Sequence, residues 1–168
     1  LGLDRETFDG IHPMVAAGQL PNLARMMERG EWAPLRSTTP PVTFPAWSSF
    51  MTGLEPARHG LFDFTQKLAG SYRIGFVNAT DRRGSSLFAR VSKAGGRVLV
   101  LGVPATFPAE PVNGLLVPGF DAPVSTGSDA AATNDPDLYR RIERKAGERK
   151  STSLKSSHKP SSYAVVCL

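Results

Sequence analysis

The clearest strand pattern in the chain is Arg97 to Val103, which reads Arg-Val-Leu-Val-Leu-Gly-Val. A short apolar run rich in β-branched residues is typical of a strand buried on both faces of a sheet. It follows an amphipathic helical pattern at 85–95, which closes on a pair of glycines. A helix followed by a buried strand, repeated along a chain, predicts an α/β fold with a mostly parallel sheet flanked by helices.

Chain length and charge distribution indicate one domain with a basic tail. With 168 residues and 40% apolar content, the chain can build one core. Residues 139–168 hold 8 Lys or Arg against 2 Asp or Glu, whereas residues 1–138 hold 12 against 13. The net charge of +5 therefore comes from residues 139–168. We expect residues 1–146 to form the domain and the low-complexity, Ser-rich residues 147–168 to be disordered.

The sequence also limits the cellular compartment that we expect and the kinds of metal site that the chain can form. Cys167 is the single cysteine, so the chain can form neither an internal disulfide nor a cysteine-based zinc site. No apolar run approaches the ~18 residues of a membrane span, and the first ten residues carry four charges, unlike a signal peptide. These features predict a cytoplasmic protein without a membrane partner. The chain begins at Leu1, inside a strand pattern, so we expect its amino terminus to be incomplete.

Other segments carry weaker patterns. Leu1 to Asp4 is typical of the end of a buried parallel strand, and 20–30 of a short helix whose Met26 and Met27 pack in the core. Residues 31–38 suit an irregular or edge strand because Pro34 cannot donate to a ladder. Residues 104–136 are predicted to be mostly loop, with a short strand at 115–117, and 135–148 to be a helix.

Thr43 is the first candidate for chemistry. In Thr43-Phe44-Pro45 the threonine is a favourable helix cap, and proline is tolerated in a first turn, so a helix is predicted to begin there. The amides and dipole of a helix start favour a phosphate group, which suits a phosphoryl-transfer nucleophile. The alternative is that Thr43 only caps the helix. As a nucleophile, its weakly acidic hydroxyl requires a base or a metal ion to activate it.

Asp4 is the second candidate. It follows the first strand pattern, and ligands of open α/β sheets bind at the carboxyl edge of the strands. A carboxylate held there could bind a metal ion, or it could only cap the following turn.

Four separate segments together resemble the opening of the type I phosphodiesterase/nucleotide pyrophosphatase family, of the alkaline phosphatase superfamily. They are Gly2-Leu3-Asp4, Leu20 to Leu23, Pro41 to Trp47, and Thr52 to Gly60. The resemblance covers roughly residues 1 to 140 and implies an alkaline phosphatase-like fold, present here only in part. It further implies that Asp4 binds one of two divalent ions, usually zinc, and that Thr43 is both a metal ligand and the nucleophile. The implied activity is hydrolysis of phosphate esters or pyrophosphates through a phosphothreonine intermediate.

The sequence departs from the family pattern in its metal ligands. The family completes its site with Asp-x-x-x-His, an adjacent Asp-His pair and a final His, and this chain contains neither of the first two. Its histidines, His12, His59 and His158, do not fit those places. We therefore expect a truncated chain that is weakly active or inactive as it stands.

Several polar residues have local interpretations. His59 lies in a loop near the proposed site, where it could be a ligand or an acid, but it is predicted to stabilise a turn. Asn113 and Asp121 are also predicted to stabilise turns, and no catalytic role is assigned to Asp63 or Asn78.

Two other functions compete with hydrolysis. One is a non-catalytic α/β module or pseudoenzyme that binds anions at a helix start. The other is nucleic-acid binding through the basic tail, for which a solvated tail is the ordinary explanation. The expected partner is a small phosphate-ester or nucleotide substrate, and no specific nucleic-acid binding is expected.

Overall fold

A computed structural model describes residues 2–3, 7–122, 133–146 and 163–167. Six helices and six strands occur in these residues, together with a 3-10 turn at Ala79–Asp81. The helices are α1 (Phe8–Ala16), α2 (Pro21–Arg29), α3 (Thr43–Thr52), α4 (Pro56–His59), α5 (Leu87–Lys93) and α6 (Pro136–Ala146). The strands are β1 (Gly2–Leu3), β2 (Thr65–Lys67), β3 (Ile74–Phe76), β4 (Val98–Val103), β5 (Gly114–Pro118) and β6 (Tyr163–Cys167).

Four strands form the main sheet, in the order β1-β6-β4-β5. Strands β4 and β5 pair in parallel, whereas β6 pairs antiparallel with both β4 and β1. The expected mostly parallel sheet is therefore not confirmed, since one of these three pairings is parallel. Because β6 is antiparallel to each neighbour, however, β1, β4 and β5 all run in the same direction.

The register of β6 brings the ends of β1 and β4 to the same level. Leu101 pairs with Val165, and Leu3 pairs with Tyr163, two residues earlier in β6. Because β6 is antiparallel to β4, a position two residues earlier in β6 corresponds to a position two residues later in β4. Leu3 is therefore level with Val103, the last residue of β4. The carboxyl ends of β1 and β4 therefore meet at one edge of the sheet.

Strand β6 lies in the tail for which disorder was expected. The apolar residues Tyr163 to Cys167 form this strand, so the expectation does not hold for these five residues. Their β-branched valines suit a strand, a signal that the basic, Ser-rich residues before them obscured. Residues 147–162 and Leu168 lie outside the described part of the chain.

The core lies between the sheet and two helices. It combines buried side chains of α3, α5, β4 and β5 with residues of the loops between them. The largest contributions come from Phe44, Trp47 and Met51 of α3 and Phe88 of α5. The side chain of Asn134 satisfies backbone groups at the outer edge of β5. It accepts a hydrogen bond from the Leu116 amide and donates one to the Gly114 carbonyl.

Two local predictions are wrong. Residues 31–38 form no strand: they pair with none of the described strands, and Pro34 has no N–H to donate to a ladder. Met26 is 69% exposed rather than in the core, because the apolar face of α2 lies outside the main core cluster. The strands at 97–103 and 115–117 and the helices at 20–30, 85–95 and 135–148 are confirmed within a few residues.

Within the described residues, every helix is too short or too polar to cross a lipid bilayer.

Candidate active site

Thr43 is the first helical residue of α3, and it is 6% exposed. The capping position belongs to Val42, whose backbone is extended and whose carbonyl accepts the first helical hydrogen bond from the Ala46 amide at 3.0 Å. The prediction that α3 begins at Thr43 is confirmed, but the prediction that Thr43 is the cap is wrong. Val42 occupies that place without a side-chain hydrogen bond to the first turn, since its side chain has no acceptor, so propensity for the cap did not decide where the helix begins.

The start of α3 directs backbone amides along the helix axis. The first turn comprises Thr43, Phe44 and Pro45, of which only the first two have an N–H. These amides and the helix dipole produce a positive potential beside the Thr43 side chain. Packing of Phe44 and Trp47 in the core holds that end of the helix in place.

Asp4 lies outside the described residues, but the strand that precedes it is described. A Cβ added at Gly2 would lie 2.3 Å from Cη2 of Trp47, so the backbone of β1 packs directly on this indole ring. Trp47 is one helical turn after Thr43. The strand that leads to Asp4 therefore runs against the helix that carries Thr43. The convergence of the two side chains stays a prediction.

An aromatic cluster joins the start of α3 to the sheet edge. The Phe44 ring lies 4.5 Å from the Phe64 ring and 6.2 Å from the Phe120 ring, measured between centroids. Phe120 is two residues beyond the end of β5. The contact therefore places the first turn of α3 beside the carboxyl end of β5, where an open α/β sheet binds its ligands.

His59 is fully buried behind the first turn of α3. Its Nδ1 accepts a hydrogen bond from the Leu61 amide at 3.1 Å, and its Nε2 lies 3.1 Å from the Ser49 hydroxyl. Burial lowers the pKa of His59, a backbone hydrogen bond at Pro45 raises it, and the positive charge of Arg82 lowers it. A neutral ring protonated on Nε2 satisfies these contacts. The structure thus confirms that His59 has a structural role, which ties α4 to α3.

Three other polar side chains also form hydrogen bonds with backbone groups near them. The Asp63 carboxylate accepts from the Phe64 amide at 2.7 Å, and the Asn78 side chain accepts from the Thr80 amide at 2.8 Å. Asn113 donates to the Gly96 carbonyl at 3.0 Å, which confirms its predicted role in a turn.

Asp121 does more than stabilise its own turn. Its Oδ1 accepts a hydrogen bond from the Ala105 amide at 3.3 Å, so it links the loops that follow β4 and β5. Burial raises the pKa of Asp121, and backbone amides of these loops oppose that effect. Like Asp4, Asp121 follows a strand pattern, and this shared position was the signal that could have identified it.

Arg82 also stabilises the loop that follows β4. It donates to the Ala105 carbonyl at 2.6 Å, and its guanidinium lies 3.8 Å from the Glu110 carboxylate. Ala105 has a left-handed backbone, with φ of 57°, which is unusual for a residue with a Cβ. Arg82 and Asp121 therefore fix a strained residue at the sheet edge. Nothing in the sequence distinguishes Arg82 from its exposed neighbour Arg83.

The described residues alone do not assemble a metal site. Among them, no group of three or more His, Cys, Asp or Glu side chains is gathered closely enough to hold an ion. Thr43 is the one member of the predicted metal site that falls within this part of the chain.

Comparison with known proteins agrees with this arrangement. The sequence profile of the type I phosphodiesterase/nucleotide pyrophosphatase family matches residues 1–164. The match extends past residue 140, where the resemblance seen in the sequence ends, and it indicates an alkaline phosphatase-like α/β fold. Searches of curated proteins and of solved structures give no significant match. Because the profile spans nearly the whole chain, this protein belongs to the type I phosphodiesterase/nucleotide pyrophosphatase family.

Proposed function

We propose that the chain hydrolyses phosphate esters through Thr43, as a metal-dependent enzyme of the phosphodiesterase/nucleotide pyrophosphatase type. Family membership supports a hydrolase of this general type. The single observation that carries the finer proposal is the position of Thr43 in the first turn of α3, beside the carboxyl edge of the sheet. That position combines a hydroxyl group with the positive end of a helix.

The proposed reaction has two displacements at phosphorus. The Thr43 oxygen attacks phosphorus and forms a P–O bond, while the bond to the leaving oxygen breaks and the Thr43 proton passes to solvent or a base. Water then attacks the phosphothreonine, which restores the hydroxyl group and releases phosphate or a phosphomonoester. The amides of the first turn stabilise charge on the phosphate oxygens in both steps.

A divalent cation, zinc by resemblance to the family, belongs to this proposal, with Asp4 and Thr43 as two of its ligands. When bound, such an ion supplies Lewis acidity, which lowers the pKa of a ligand hydroxyl and neutralises phosphate charge. The complete family site holds two ions. This chain has no Asp-His pair and no Asp-x-x-x-His, so we expect its activity to be low.

Kinetics of Thr43 variants test the proposal. Hydrolysis of p-nitrophenyl phosphate and bis-p-nitrophenyl phosphate is measured with added zinc for the parent, Thr43→Ala and Thr43→Ser. We expect Thr43→Ala to fall to the uncatalysed rate and Thr43→Ser to keep part of the activity, because serine retains a hydroxyl nucleophile. Thr39→Ala, an exposed threonine four residues earlier, is the matched control and should leave the rate unchanged. Full activity in Thr43→Ala removes Thr43 from the mechanism.

A second candidate is a non-catalytic module that binds anions at the start of α3. The burial of Thr43, which is 6% exposed, favours it, since a nucleophile must be reached by its substrate. Metal analysis after dialysis against zinc separates the two candidates. Two ions retained per chain contradict the non-catalytic module, whereas vanadate binding without retained metal and without hydrolysis supports it.

A further inference from the structure

The hairpin of β2 and β3 exposes an apolar row that the main core does not cover. Its strands pair with each other and form a two-stranded sheet separate from the main one. Ile74 is 72% exposed and Phe76 is 83% exposed, and these alternate residues lie on one face of β3. Isolated two-stranded hairpins are marginally stable in water, so leaving their largest apolar side chains exposed requires an explanation.

The same face carries positive charge. Lys67 is directly opposite Ile74, so both side chains project from one face. The Lys67 ammonium group lies 4.7 Å from the centre of the Tyr72 ring, which is 97% exposed, so the ring lies on this face too. The segment 65–76 has no Asp or Glu, and its second cation, Arg73, is opposite Leu68 and projects from the other face.

The opposite face of the hairpin is different. A Cβ at Gly75 would lie 2.9 Å from the Leu68 side chain, which folds over the backbone there. Gln66 and Gly75, which pair with each other, are half-buried. Only one face is therefore both apolar and fully available.

Two considerations favour a lipid surface over a protein partner. A second copy would present the same face, which carries Lys67 and no carboxylate, so that cation would have no oppositely charged partner there. The area is also small. Three such side chains offer roughly 500 Å², whereas a stable protein interface buries about 800 Å² on each partner. A few apolar side chains with an adjacent cation suit the headgroup region of an anionic membrane.

We propose that the exposed face of the β2–β3 hairpin, formed by Lys67, Tyr72, Ile74 and Phe76, docks on an anionic lipid surface. The apolar side chains enter the headgroup boundary, and Lys67 faces the lipid phosphates and carboxylates. The sequence predicted no membrane partner because no apolar run approaches the length of a membrane span, and docking of a hairpin face on a lipid surface requires no such run. This inference does not depend on the proposed activity.

Vesicle binding tests the proposal on the full chain. Cosedimentation is measured with phosphatidylcholine vesicles that either contain or lack phosphatidylserine. We expect tighter binding to the anionic vesicles and a loss of about tenfold or more for each apolar side chain removed in Ile74→Ser/Phe76→Ser. Lys67→Gln should weaken binding to the anionic vesicles about fivefold. The Tyr72→Trp variant should show a blue-shifted emission with these vesicles and quenching by brominated lipids.

Matched controls separate the hairpin from the basic tail, which could bind anionic lipid by itself. Leu35→Ser removes an apolar side chain that is 94% exposed, and Lys93→Gln/Arg97→Gln removes two exposed cations, each outside the hairpin. These variants should bind like the parent apart from a general charge effect. Equal binding by Ile74→Ser/Phe76→Ser and the parent overturns the proposal. The proposal is also overturned if light scattering shows that the parent is a dimer and that Ile74→Ser/Phe76→Ser is a monomer with unchanged vesicle binding.

Discussion

His59 has no contact with solvent, yet both of its ring nitrogens have hydrogen-bonding partners. Its ring joins α4 to the helix that carries Thr43, and Arg83 next to it donates its amide to the His59 carbonyl at 2.9 Å. A residue with this arrangement contributes to stability even though histidine is often a catalytic side chain. The pattern Arg-His-Gly in a loop does not separate the two roles, and only the burial and the partners do.

Replacing His59 should destabilise the protein. His59→Ala leaves a cavity and an unpaired Leu61 amide, which together should lower the free energy of unfolding by about 2–4 kcal/mol. Arg58→Ala, at the exposed preceding position, should change it by less than about 0.5 kcal/mol. Urea denaturation followed by circular dichroism measures both. If the two variants were equally stable, His59 would not tie α4 to α3.

Asp121 should make the stability of the folded protein decrease as the pH rises through the acidic range. Because burial raises its pKa, the folded state binds more protons than the unfolded state above the ordinary value of about 3.9. The contribution of Asp121 to stability is therefore highest below that pH and declines as the pH rises through the raised folded value. We expect Asp121→Asn to remove this decline from the melting temperature measured across the acidic range. Asp63→Asn, an exposed carboxylate, is the control and should keep the parent's profile.

At the scale of elements, β1 and α3 depend on each other through Gly2 and Trp47. The motif Gly2-Leu3-Asp4 suggested a strand that delivers a carboxylate, and the structure adds that Gly2 is needed for close approach to the indole ring. This contact could not be predicted because the two residues are 45 positions apart, and no local pattern reports such packing.

Gly2→Ala should therefore disturb the approach of β1 to α3. The new methyl group would overlap Trp47, which should cost about 1–3 kcal/mol of unfolding free energy. Gly10→Ala in α1, where a Cβ meets no atom within 4 Å, should instead be neutral or stabilising by about 0.5–1 kcal/mol. Thermal denaturation of the two variants compares them directly. A Gly2→Ala protein as stable as Gly10→Ala would show that β1 does not pack on Trp47 as described.

The elements that could be predicted are those with strong local periodicity. Helices α2, α5 and α6 and strands β4 and β5 follow from apolar spacing together with the proline and glycine residues at their ends. Helix α1 contains Pro13, which masks its pattern, and α4 has only four residues. The hairpin was missed because its apolar alternation is short and interrupted by Gly75.

Across the whole molecule, the strands β1, β4 and β5 share a direction, and the loops after β4 and β5 lie beside the start of α3. The sequence predicted an α/β fold, but it could not predict that β6 would separate β1 from β4. That insertion involves residues more than 60 positions apart, and long-range pairing leaves no mark on the composition of either segment. Thr43 was identified from a local motif, whereas Arg82 and its hold on Ala105 depend on tertiary contacts.

Covalent trapping tests the central claim most directly. The protein is mixed with zinc and a phosphate ester, quenched in acid, digested and examined by mass spectrometry for a phosphoryl group on the peptide that contains Thr43. We predict phosphothreonine at residue 43 in the parent, phosphoserine at that position in Thr43→Ser, and no phosphopeptide in Thr43→Ala. Ester hydrolysis that proceeds with no phosphoryl group on residue 43, or with one on a different residue, would contradict the account.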